Sequence, residues 1–217
     1  LHVVIDRLHR IPEYQELFRK AFGGDNPISV SNMGKAIAAF ERTLVTHNSR
    51  FDRYMNGDNS AISLLEKDGF EKFKEVGCAN CHNGPMFSDY QFHVLGVPEN
   101  KKLHLPDLGR ADKQALDSFA FRTPSLRNLR FTAPYMHNGS FMDLRRVLEF
   151  YEDIAQGKIR NSNISRSQID PLVSELDLAV KDMSQIISFL NTLNNPDFDK
   201  SIPEKVPSGL PVGGNIQ

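Results

Sequence analysis

The stretch that most limits how this chain can fold is the longest one without a secondary-structure period. From Asn83 to about Ala120 no apolar repeat of helix or strand persists, and Gly84, Pro85, Gly96, Pro98, Pro106 and Gly109 break every candidate run. So long a loop is uncommon in a compact domain unless it wraps something functional. Directly before it stands Gly77-Cys78-Ala79-Asn80-Cys81-His82, which holds both cysteines of the chain.

The rest reads as helix, so the fold class is all-α. Pro12 opens a helix through Phe22, with Tyr14, Leu17, Phe18 and Ala21 on one face and Gly23-Gly24 at its end. Ser29 or Ser31 caps a second helix, whose stripe is Met33, Ile37, Phe40 and Leu44. Ser60 is read as the cap of a third, with Ile62, Leu65, Gly69, Phe73 and Val76 on one face, running straight into Cys78. Asp143 starts a fourth, striped by Leu144, Val147, Leu148, Tyr151 and Ile154. A polar linker from Gln156 to Gln168 leads to a last helix capped by Asp182, and after Asn195 a Pro- and Gly-rich tail reads as extended.

The chain has 217 residues, 40% apolar, which suits one domain or one domain with part of a second. Lys and Arg (26) balance Asp and Glu (27), and no basic run exists, so nothing points to nucleic acid. No apolar run approaches the ~18 residues of a membrane span. "LHVVIDRLHR" lacks an initiator Met and a signal-peptide layout and reads as the middle of a longer chain.

Three chemistries compete for the cysteine motif. Structural zinc needs four ligands, and Cys78, Cys81 and His82 supply three at most, two of them adjacent. A redox dithiol calls for a thioredoxin-like βαβ context, whereas a helix precedes this motif and a Gly/Pro loop follows it. An incidental pair of buried thiols leaves the following His unexplained. C-x-x-C-H has its own mechanism: both thiols add to the vinyl groups of haem, and the His lies under the iron as proximal ligand. Covalent haem c on Cys78 and Cys81, with His82 on the iron, is therefore the reading adopted. Such attachment occurs outside the bacterial cytoplasm, which predicts a periplasmic or extracytoplasmic location.

Beyond this motif, "RIPEYQELFRKAFG", "AIAAFERTLVTHNSRFDRYMNGD", "GFEKFKEVGCANCHNGPMFSD", "DLGR" and "FRTPSLRNLRFTAPYMHNGSFMDLRRVLEFY" resemble the bacterial di-haem cytochrome c peroxidases and their MauG-type relatives. Members carry two c-type haems in two cytochrome-c-like domains, and the single motif here matches the second. The resemblance implies that residues 1–45 end the first haem domain, that 46–195 form the second with long irregular haem-wrapping loops, and that 196–217 form a tail packing back on the first. The first haem, its peroxide-handling acidic residue and the Trp between the haems would lie upstream; this chain has no Trp. Implied partners are that first haem domain, hydrogen peroxide, and an electron-donor redox protein or a protein substrate. A self-contained mono-haem electron carrier without catalysis is the alternative.

Candidates for the second axial position are Met86, Met136, Met142, Met183, His93, His104, His137 and Tyr151. Met is the common choice in cytochromes c. The resemblance to the MauG branch points to Tyr151 as distal ligand, with Met136 next; the plain alternative is a core Tyr bonded to a backbone carbonyl. Thr132 and Pro134 match positions whose carbonyls help bind calcium between the haem domains, and the alternative is an ion-free turn. His137 is expected to hydrogen-bond near the haem. Arg110, Arg122 and Arg127 are candidates for propionates or for plain surface charge, and Phe87, Phe92, Phe121 and Leu126 for haem packing or core.

Overall fold

A computed structural model describes residues 1–44, 46–103, 105–112, 117–197 and 201–212. They form helices α1 (His2–His9), α2 (Pro12–Phe22), α3 (Val30–Thr43), α4 (Arg50–Met55), α5 (Leu64–Glu75), α6 (Leu144–Ala155) and α7 (Met183–Thr192). One antiparallel strand pair joins them, β1 (Phe92–Val94) against β2 (Ala120–Arg122), with His93 opposite Phe121. The all-α expectation holds: the protein is mostly helical with little sheet. The chain divides into two compact units, one of Leu1–Val45 with Asp197–Gln217, the other of Thr46–Pro196.

In the first unit none of α1, α2 and α3 buries a residue. The α3 stripe read from the sequence is present, yet Ile37 and Phe40 are 51% and 62% exposed. Ser29 is the cap, accepting from the Asn32 amide at 3.1 Å.

The second unit is built on the crossing of α5 and α7. Gly69 makes the approach possible, because a Cβ placed there would lie 2.1 Å from the Gln185 carbonyl oxygen. Around the crossing Phe51, Phe73, Phe87 and Phe189 form an aromatic core, with Phe189 fully buried and 5.2–5.8 Å from the other three rings. Such offset and edge contacts add to plain area burial. Helix α6 contributes Leu148 to this core and Phe150 and Ile154 to a second cluster with Val97 and Val173.

Local details differ from the sequence reading where side chains compete for backbone groups. Ser63, not Ser60, caps α5 through a reciprocal pair with Glu66; Ser60 instead closes a turn on Asp58. Asp182 precedes α7 without capping it, since its carboxylate accepts from the Ala179 amide behind it. Leu65 is half exposed rather than part of the buried α5 face.

The unforeseen helix α4 has a similar reciprocal cap, in which Ser49 and Asp52 bond each other's amides. Asp52 also receives two bonds from the Arg127 guanidinium, at 2.7 and 2.9 Å. Burial pushes the Asp52 carboxyl up, but bonds from Arg127 and Ser49 outweigh it and hold the group at about 2. The pair thus stabilises the fold fully above the ordinary carboxylate value near 3.8 and loses that effect as pH falls toward about 2. Asp52→Asn leaves Arg127 half-paired in a mostly buried setting and is expected to cost about 3 kcal/mol at neutral pH. Denaturant titration followed by circular dichroism checks this, and the gap to wild type should narrow below pH 3.8.

Candidate haem cavity

The aperiodic stretch and the helices enclose one large cavity of about 670 Å³, within the ~300–1,000 Å³ usual for cofactor sites. Its lining includes Cys78, Cys81 and His82 from the motif, Phe121 and Arg122 from β2, Thr132 and Pro134 to His137, and Leu144, Leu148 and Tyr151 from α6. Apolar side chains dominate, with a few polar groups aimed inward.

The motif's geometry starts at the end of α5. Gly77, at φ +90°, turns the chain out of the helix, and a single 3-10 turn carries Cys78 to Asn80. The Cys78 carbonyl accepts from the His82 amide at 3.0 Å, and the Cys81 carbonyl accepts from the Asp89 amide at 2.8 Å. Phe87 takes the left-handed conformation, φ +51°, uncommon for a bulky residue. Its ring enters the aromatic core while its carbonyl accepts the His82 Nδ1–H at 2.9 Å.

That bond fixes the tautomer, because a carbonyl can only accept. With Nδ1 protonated, neutral His82 carries its lone pair on Nε2, the arrangement of a metal-ligating histidine. Burial keeps the ring below its ordinary pKa, against the opposing pull of the Phe87 carbonyl and Asp89. Burial likewise pushes the Cys78 thiol up to about 12 and, with Asp89 and Asp170 adding, the Cys81 thiol to about 11. Both are therefore protonated at neutral pH, a poor state for a dithiol shuttle, which works through a thiolate.

Tyr151 stands on the inward stripe of α6, and burial, with the two thiols adding, raises its phenol well above the ordinary value. Its hydroxyl has no hydrogen-bond partner among the described residues. Tyr135 shows the contrast: its hydroxyl donates to the Leu129 carbonyl at 2.9 Å, as a core tyrosine ordinarily does. A cavity of this size, two thiols, an imidazole bonded through Nδ1 to the Phe87 carbonyl and an unpartnered phenol are a donor set that fits haem c.

Other sequence candidates fall into place unevenly. Met136 lines the cavity at φ +68°. His137 lines it too and stacks on Phe121, ring centroids 3.5 Å apart, in place of an expected hydrogen bond. Arg127 is committed to Asp52 and the Pro85 carbonyl, and Arg110 faces Asp117 and the Phe92 ring, so neither is a free propionate partner. Arg122 remains on the cavity, over the Tyr90 ring. Phe87 belongs to the core, and Leu126 packs against it and also lines the cavity. Thr132 and Pro134 lie at the exposed rim, their carbonyls accepting no bond among the described residues. His104 lies outside the described residues.

The sequence reading missed what holds the wall together. The irregular loops satisfy one another's backbone through short polar side chains: Asn138 and Ser140 both donate to the Pro98 carbonyl, Asn161 to Val97, and Ser88 to Thr123. It also missed a partly buried triad, in which His93 Nδ1 lies 2.7 Å from Asp170 and Nε2 3.0 Å from Asp89. Asp89, His93 and Cys81 are close enough to hold an ion, but both ring nitrogens of His93 already serve carboxylates.

Comparison with known proteins shows the family. A family described as di-haem cytochrome c peroxidase matches residues 1–60. The methylamine utilization protein MauG of Methylorubrum extorquens is 36% identical, over 94% of this chain and 56% of the relative. The cytochrome c551 peroxidase of Nitrosomonas europaea is 33% identical, over 91% of this chain and 54% of the relative. Among solved structures, a MauG-like protein associated with microbial copper homeostasis superposes with a TM-score of 0.66 at 28% identity, covering 90% of this chain and 62% of that one. The diheme peroxidase BthA from Burkholderia thailandensis, at 20% identity and a TM-score of 0.65, supports the fold alone. The chain thus spans about half the length of the curated relatives it matches. Its motif, its cavity and these matches together place it in the family of di-haem cytochrome c peroxidases and MauG proteins.

Proposed function

We propose that this chain is the second-haem part of a di-haem peroxidase of the MauG kind, passing electrons or oxidising equivalents to and from a peroxide-reactive haem elsewhere in the whole protein. The observation that carries the reading is the shared cavity wall of Cys78, Cys81, His82 Nε2 and the unpartnered Tyr151 hydroxyl. When bound, haem c would supply a one-electron couple. The chain's own part would be to tether it through both sulfurs, hold the iron with His82 and Tyr151, and exclude water with apolar walls. If both side chains held the iron, peroxide would find no open site, and this chain alone is expected to show little peroxidase activity. The open, unpartnered face of α3 supports reading 1–45 as the end of a first haem domain, with 46–195 as the second and 196–217 as its returning tail. Hydrogen peroxide, and a redox protein or protein substrate as electron source, are the partners this reading requires. A periplasmic or extracytoplasmic location follows from covalent attachment. Calcium on the carbonyls of Thr132 and Pro134 belongs to the same proposal and is supported by their exposure and lack of other partners.

Intact mass tests the core of this. The chain produced with haem-attachment machinery should carry one haem adduct, and Cys78→Ala with Cys81→Ala should carry none. An unmodified mass for the wild type would overturn the reading. The mono-haem carrier alternative predicts the same adduct. It would be favoured if the haem exchanged electrons with a soluble donor while the gene encoded no second C-x-x-C-H.

A further inference from the structure

His93 is a partly buried titratable group on the cavity to which the reading above assigns no task. Its side chain is 11% exposed, and it lies on β1 with its partners Asp89 and Asp170 on two other segments. Both ring nitrogens are within hydrogen-bond distance of a carboxylate oxygen, 2.7 Å to Asp170 and 3.0 Å to Asp89. A neutral imidazole has one N–H and could serve only one of them; its other nitrogen would set a lone pair against a carboxylate. The geometry is that of an imidazolium. Burial opposes this charge, but Asp170 and Asp89 outweigh it and raise the pKa of His93 above its ordinary value. Both His93 and Asp170 line the cavity, and Cys81, a proposed haem tether, lies within 4.8 Å of the triad's atoms.

Resting on the haem reading above, we infer that His93 is a proton-linked positioning residue for the haem potential, acting through the Asp89–His93–Asp170 chain. A proton on His93 beside the cavity would favour the reduced haem, which carries one positive charge fewer. By linkage, His93 holds its proton more tightly when the haem is reduced. As an external one-electron donor delivers one electron to the haem, His93 takes up to one proton from water, and on oxidation it returns that proton. The proton exchanged is the one on Nε2, whose bond to Asp89 is the longer of the two. The other charged or titratable groups facing His93 are His82, neutral in the reading above, and Cys81, protonated until it is alkylated by haem. Phe121, opposite on β2, carries no charge and separates His93 from His137; Arg122, next along β2, is permanently cationic.

The test is the haem reduction potential of the full haem-loaded chain, measured by spectroelectrochemistry from pH 5 to 10. Wild type is expected to fall in potential as pH rises through the His93 titration, above its ordinary 6.5. In His93→Gln the fall should vanish. Its potential at pH 6 should sit below wild type by at least tenfold in electron affinity, about 59 mV, and the two curves should converge at high pH. In Asp170→Asn, which keeps the imidazole but removes its stronger partner, the fall should move to lower pH. His137→Gln should leave it in place. A flat wild-type profile, a fall that persists in His93→Gln and so belongs to propionates, or a fall that Asp170→Asn does not move would each overturn the inference. If His93→Gln does not load haem, the Asp170→Asn profile decides. Absence of any haem adduct in the wild type is a different failure and removes the haem reading itself.

Discussion

Tyr151→Phe is expected to change the absorption and EPR spectra of the haem-loaded chain while leaving its fold intact. The two parts of that expectation have separate causes. The Tyr151 hydroxyl faces the cavity and bonds to no described residue, so removing it breaks no hydrogen bond among them. The spectrum is another matter. A phenol with its pKa pushed upward by burial stays neutral unless a cation faces it, and ferric iron is such a cation. Ligation would therefore require the phenol to release its proton to water, leaving a hard, anionic oxygen that favours oxidised iron. Phe cannot do this, so the potential should rise by more than tenfold in electron affinity, about 59 mV. Unchanged spectra would remove Tyr151 as ligand and turn attention to Met136, which lines the same cavity.

The second large effect is on stability. Gly69→Ala should destabilise the chain by about 3 kcal/mol or more, at the upper end of overpacking costs. An added Cβ would sit 2.1 Å from the Gln185 carbonyl oxygen and 3.0 Å from Phe189 Cβ. The first obstacle is backbone, so α5 and α7 must move apart. The ~1 kcal/mol that Ala gains over Gly in a helix is too small to compensate. Parting these helices would also disturb Phe73 and Phe189 in the aromatic core and Val76 at the entry to the cysteine motif. Chemical denaturation of the haem-loaded chain measures the loss. A stability within 1 kcal/mol of wild type would mean that the crossing is looser than its geometry indicates.

Helices with a strong apolar stripe were readable from sequence because their period is local. The α6 stripe and its Asp143 cap are where the spacing put them, and the class of the cysteine motif followed from one His at the right place. The short helix α4 escaped because six residues carry too little periodicity, although Ser49 and Asp52 spell its cap. The strand pair escaped for the same reason: three residues per strand hold no pattern, and the pairing is made by residues almost thirty apart. Arg127 read as a propionate partner or a plain surface charge because nothing local announces Asp52, 75 residues away. His93 is the same case, since Asp170 lies 77 residues downstream. What the sequence withheld is the wall of the cavity, which is assembled from distant loops bonding one another's backbone.

The burial of the two thiols bears on the order in which this protein is made. At about 12 and 11, Cys78 and Cys81 would be almost wholly protonated at neutral pH, and bond-forming sulfur chemistry runs through the thiolate. A chain that closed its wall first would offer haem two unreactive sulfurs at the back of a narrow space. The same chain with α5 and the loop from Asn83 still open would offer two ordinary cysteines in water. On the haem reading proposed above, attachment would belong before closure, and a tethered haem would then be the surface against which the aperiodic stretch packs.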